Sequence, residues 1–170
     1  NSRMGKSMSK PKKVSDTGRT PMDAALRYLG ARARTVREVE RHLDACEYGE
    51  VEVYETVERL KELNLLDDLA FANEFVRTRL ATKPVSRAHL REQLLAHETE
   101  ADAVERALSQ VDEEAQERSA ELTAEKYARQ YARLPQEERN EMVIRRLLSR
   151  GYSYDEARAA LRVVSEGAEK

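Results

Sequence analysis

The sequence has no tryptophan, two phenylalanines, six glycines and four prolines in 170 residues. So few turn formers exclude a protein built from many short strands, and 36% charged with 40% hydrophobic residues suits a soluble, largely helical chain. No apolar run approaches the ~18 residues that a membrane span needs, and no signal-like apolar segment lies near the start. A cytoplasmic address and no membrane contact are expected. The single cysteine, Cys46, cannot form an internal disulfide, and His42, His89 and His97 show no repeated metal-ligand spacing. Neither a metal nor a cofactor is predicted, so stability must come from packing. Phosphate-binding glycine loops, nucleophile elbows and local Ser/His/Asp signatures are also missing, which argues against an enzyme.

What is present is charge, unevenly placed. The net charge of −2 hides a basic stretch over 1–20, where Arg3, Lys6, Lys10, Lys12, Lys13 and Arg19 face only Asp16. Residues 1–20 read as a disordered basic tail, whose opening NSRMG resembles a vector-derived remnant. The rest of the chain is net acidic, yet Arg outnumbers Lys there by 20 to 4. Arginine is the residue of bidentate contacts to carboxylate and phosphate.

From Thr20 onward the chain is punctuated by helix starts. Thr20-Pro21-Met22-Asp23, Thr35-Val36-Arg37-Glu38 and Ser153-Tyr154-Asp155-Glu156 pair a capping hydroxyl with an acid three residues on, and Thr99-Glu100-Ala101-Asp102 is a near relative. Ser86 and Pro135 mark two more starts, and Gly30 and Gly151 sit where helices should stop. Between these marks the apolar spacing is helical, as in Val36, Val39, Leu43 and Cys46 or Val143, Leu147 and Leu148. Nine helices are predicted, at about 22–30, 36–46, 50–63, 68–81, 87–96, 100–110, 113–133, 136–149 and 154–165.

The chain also repeats itself. LLAHETEADAVERAL at 94–108 lies over LLSRGYSYDEARAAL at 147–161 without a gap, pairing Leu94 with Leu147 and Asp102 with Asp155. Val57-Glu58-Arg59 echoes Val104-Glu105-Arg106, and Leu43 corresponds to Leu94 if the first copy carries four extra residues around Tyr48 and Gly49. The first helices match too: Ala25 before Tyr28, Ala72 before Phe75, Ala124 before Tyr127. An all-α fold of three tandem three-helix repeats follows, at 21–66, 67–111 and 112–166, stacked into an elongated, curved array because about 45 residues barely bury a core alone.

Each candidate site has a competing structural role. Asp67 and Asp68 precede an apolar-periodic helix and read as a helix cap, not a reactive pair. His42 and Cys46, one turn apart, lack a second ligand pair and read as core beside Val39 and Leu43. Exposed arginines are better candidates for a protein or DNA interface: Arg37 and Arg41 on the second helix, Arg145, Arg146 and Arg150 on the eighth, Arg158 and Arg162 on the ninth. Arg87 and Arg91 repeat the spacing on the fifth. The competing reading is pairing with nearby acids, worth about 0.2–0.5 kcal/mol per pair. Tyr152 and Tyr154, beside Arg150, are placed either on a base or in a helix junction.

The junction LLDDLAFANEFVRTR at 65–79 and the closing IRRLLSRGYSYDEARAAL at 144–161, set in three tandem repeats, resemble the bacterial RecX family of recombination regulators over residues 21–165. One departure is Glu98 where Gly151 aligns, which implies a turn of different shape. The resemblance implies a non-catalytic negative regulator that binds the RecA filament and restrains its ATP hydrolysis, strand exchange and growth, acting as a monomer. Single-stranded DNA would then be a weak or indirect partner. The alternative is a helical module that binds DNA directly, with the basic tail and arginine rows meeting phosphates.

Overall fold

The computed structural model describes residues 19–168, so the basic tail predicted over 1–20 lies almost wholly outside the described residues. The described chain is all helical: α1 (Pro21–Ala31), α2 (Val36–Ala45), α3 (Glu50–Glu62), α4 (Asp68–Thr82), α5 (Arg87–Ala96), α6 (Ala101–Leu108), α7 (Glu113–Gln130), α8 (Gln136–Ser149) and α9 (Tyr154–Ala168). Each predicted helix is present, with ends shifted by three residues at most. Thr20, Thr35 and Ser153 close the capping boxes expected of them, the last through Glu156 N to Ser153 Oγ at 3.1 Å and Ser153 N to Glu156 Oε1 at 2.8 Å. Gly30 does not stop α1, which runs on to Ala31.

The three copies share one core pattern. Ala25, Ala72 and Ala124 are fully buried at the centre of the first helix of each copy. In the second helix Val39 and Leu43, Leu90 and Leu94, and Val143 and Leu147 are all fully buried, each worth about 1.5–3 kcal/mol by removal from water. Leu95 and Leu148, one residue further on, are half exposed, as helical periodicity requires.

The turns between second and third helices also coincide. Each has four residues: 46–49, 97–100 and 150–153. Their second positions, Glu47 (φ 70°), Glu98 (φ 57°) and Gly151 (φ 95°), are all left-handed, the conformation that ends a helix in a Schellman-type turn. In the first and third, the Tyr48 and Tyr152 backbone N–H groups reach back to Leu43 O and Leu147 O at 3.3 and 3.2 Å. Glu98 therefore does not reshape its turn, contrary to expectation; a non-glycine residue accepts the left-handed conformation there. Nor does the first copy carry extra residues around Tyr48 and Gly49. Its third helix is longer at the far end, 13 residues against 8 in α6.

Compactness divides the described chain differently from the repeat pattern. One unit runs to Phe71 and takes in His97–Glu100; the other holds Ala72–Ala96 and the chain from Ala101 onward. In the first unit α1, α2 and α3 pack Ala25, Val39, Leu43, Val53, Val57 and Leu60 into one core, with Leu66 closing it. The turn 97–100 belongs here because the start of α2 holds it: Thr35 Oγ1 donates to His97 O at 2.8 Å and is fully buried. In the second unit α7, α8 and α9 enclose Ala120, Ala124, Tyr127, Val143, Leu147 and Tyr152. The start of α5 docks in the equivalent way, Ser86 N donating to Arg150 O at 2.9 Å. Thus the beginning of one copy's second helix grips the following copy's turn, twice over.

Candidate interface for protein and nucleic acid

At the junction, Asp67 and Asp68 have separate structural tasks. Asp67 Oδ1 accepts from Ala70 N at 3.0 Å and caps α4. Asp68 reaches elsewhere, accepting from Val36 N at 2.9 Å with one oxygen and from Glu100 N at 2.8 Å with the other. It thereby satisfies free N–H groups at the starts of α2 and α6 together.

Around this point the predicted arginines of α2 are already occupied. Arg41 makes a bidentate pair with Glu98, Nε to Oε1 at 2.6 Å and a second N–H to Oε2 at 2.7 Å, and the hydrogen bonds and charge of Arg41 hold the Glu98 carboxyl below its ordinary range. Arg37 pairs with Glu40 at 3.1 Å. Beside them His97 Nδ1 lies 2.9 Å from Glu38 Oε2. Burial pushes the Glu38 carboxyl up, but hydrogen bonds from His97, the Thr35 backbone and Arg32 outweigh it and leave the group below its usual value. Arg91, on α5, is likewise committed, bidentate to Glu105 at 2.8 Å.

The arginines of α8 and α9 are differently placed. Arg145, Arg146, Arg150, Arg158 and Arg162 form no ion pair among the described residues. Arg145 and Arg162 are exposed, and Arg158 and Arg162 line a shallow groove with Asn140. Arg146 donates to the Tyr131 hydroxyl at 2.9 Å and lies over the Tyr127 and Tyr131 rings at 5.5 and 5.9 Å. Arg150 donates to the Tyr127 hydroxyl and sits 5.7 Å over that ring. As arginine partners Tyr127 and Tyr131 were missed in the sequence, though Tyr127 on α7 and Tyr131 just past its end have the same four-residue spacing as Arg146 on α8 and Arg150 just past its end. Tyr152 is core, 2% exposed and hydrogen-bonded to Ser119 Oγ at 2.8 Å; Tyr154 is exposed, with Arg158 5.8 Å over its ring.

His42 and Cys46 sit together, Nε2 to Sγ 3.8 Å, on the edge of the first core. The His42 ring stacks flat on Tyr28 at 4.0 Å, and the Arg34 guanidinium lies 3.8 Å from the same ring centre, so the two must take opposite faces. Burial first, then the Arg34 charge, lowers the His42 pKa. Among the described residues no group of three or more His, Cys, Asp or Glu could hold a metal ion. No described helix is long and apolar enough to cross a membrane.

The arrangement defines an all-α repeat protein whose three-helix units interlock through helix starts and turns. Models of the first and second three-helix domains of RecX match residues 22–60 and 67–108. The Regulatory protein RecX of Prosthecochloris aestuarii is 37% identical over 102 residues, covering 60% of this chain and 67% of its own. That of Chlorobium phaeobacteroides is 33% identical over 93 residues, covering 55% and 62%. The chain thus spans about two thirds of the length of these curated relatives. The crystal structure of RecX from Lactobacillus salivarius superposes with a TM-score of 0.72 at 26% identity, covering 85% of this chain and 94% of that one. This chain belongs to the RecX family of regulatory proteins.

Proposed function

We propose that this chain regulates the RecA recombinase negatively, binding the RecA–DNA filament and restraining its ATP hydrolysis, strand exchange and extension, as a cytoplasmic monomer in DNA repair and recombination. The observation that carries the reading, beside family membership, is the set of arginines on α8 and α9 that form no ion pair among the described residues. Guanidinium groups without an internal acid are ready to meet carboxylates or phosphates of a filament, and such charges raise the rate of encounter. Arg37 and Arg41, spent on Glu40 and Glu98, drop behind Arg145, Arg146, Arg158 and Arg162 in this role. The test adds the protein to preformed RecA filaments on single-stranded DNA and follows ATP turnover. Inhibition that saturates is expected; unchanged turnover at saturating protein sinks the reading.

The second reading, direct DNA binding, is favoured by one feature: guanidinium groups held against tyrosine rings, Arg146 on Tyr131 and Arg158 on the exposed Tyr154. Tight binding to single strands without RecA, falling with salt at a slope near about −0.7 per phosphate contact, would promote it.

A further inference from the structure

The outer face of α2 floors a groove inside the first compact unit. Toward α3 it is lined by Glu40, Asp44, Glu50, Val51, Tyr54 and Glu55. Arg37 and Glu40 carry the lining on toward the start of α4, where Asn64, Asp67 and Leu69 join it. Val51 and Tyr54 are 69% and 65% exposed, the most exposed large hydrophobic side chains among the described residues. Three positions apart on α3, they present one apolar step to solvent.

The charges around that step that form no ion pair among the described residues are of one sign. Asp44, Glu50 and Glu55 form no ion pair among the described residues. The cations of the groove, Arg37 and Lys61, are already matched by Glu40 and Glu58 at 3.1 Å each. A nucleic acid backbone brought here would meet like charge, so phosphate is the wrong class of ligand for this surface. A cationic chain has the complementary sign.

We propose that the α2–α3 groove is a docking surface for a lysine- or arginine-rich segment of a protein partner, one of whose apolar side chains packs on Val51 and Tyr54 while its cations meet Asp44, Glu50 and Glu55. This surface lies on the first unit and is opposite in sign to the α8 and α9 arginines. Its test needs no RecA, so either proposal can fail without the other.

The probe is a fluorescently labelled synthetic peptide of lysines flanking a leucine, titrated with the full chain and followed by anisotropy. Saturable binding is expected, weaker in high salt, reduced about tenfold or more by the double variant Glu50→Lys/Glu55→Lys and several-fold by Tyr54→Ala. All these side chains are exposed, and circular dichroism checks that the variants fold. The control, Glu137→Lys/Glu141→Lys on α8, changes net charge equally and should leave binding intact. Absent binding overturns the proposal, as does an equal loss in the control or no loss in Tyr54→Ala. Binding that emerges only when Lys6, Lys10, Lys12 and Lys13 are replaced by alanine also overturns it, because the chain's own basic residues would then fill the groove.

Discussion

A Cβ on Gly151 would lie 2.3 Å from Ser86 Oγ and 3.0 Å from His89 Cβ. The glycine is therefore required twice, by its φ of 95° and by the start of α5 pressed against it. Gly151→Ala should cost at least about 2 kcal/mol, strain and steric contact together, seen as a lowered denaturant midpoint with unchanged slope. Glu47 provides the contrast: it is exposed and holds φ 70° with a side chain in place. Glu47→Gly should stabilise by up to about 1 kcal/mol. Equal effects at the two positions would mean that docking on the third turn is not tight.

The two junction carboxylates should separate in the same assay. Asp67→Ala removes one cap and should cost about 1 kcal/mol, while Asp68→Ala leaves two helix starts unsatisfied and should cost about 2. A larger loss at Asp67 would contradict the bridging role of Asp68.

These two residues mark how far the sequence could be read. Local signals held: capping boxes at Thr20, Thr35 and Ser153, the buried leucines of each second helix, and the alanine of each first helix are set by residues within four positions of one another. The adjacent carboxylates looked alike because a cap is local, whereas the partners of Asp68 are 32 residues away in both directions. Arg41 looked like Arg145 for the same reason; its acid, Glu98, is 57 residues distant and reaches it from a turn whose left-handed shape the sequence pattern did not suggest. The αL turn tolerates a charged residue there, and that residue's side chain then claims the arginine.

Among the groups that make stability fall on acidification, the two that are half-buried, His42 and Glu38, act in different windows. Both have folded pKa values below their ordinary ones, so the unfolded chain binds more protons and stability is present above the ordinary value and lost below it. For His42 the loss begins below 6.5, and for Glu38 below 4.5. Denaturant unfolding at about pH 7.5 and about pH 5.5 should show the first loss, shallower in His42→Gln; Glu38→Gln should flatten the second, nearer pH 4. A His42→Gln profile identical to the parent would remove the stacked histidine from the account.

Arginines that hold the fold and arginines free to bind should respond oppositely in paired assays. Arg150 donates to the Tyr127 hydroxyl and caps a half-buried site, so Arg150→Ala should lose about 1 to 2 kcal/mol of stability. Arg145 and Arg162 are exposed and form no ion pair among the described residues, so Arg145→Ala and Arg162→Ala should stay within about 0.5 kcal/mol. If the free arginines contact the filament, the Arg145→Glu/Arg162→Glu double variant should weaken inhibition of RecA ATP turnover several-fold at unchanged thermal midpoint, and more at low salt than at high. Arg41→Ala, which only releases an exposed pair with Glu98, should leave that inhibition near the parent value. The reverse pattern, inhibition lost with Arg41 and kept with Arg145 and Arg162 reversed, would move the docking face from α8 and α9 to α2.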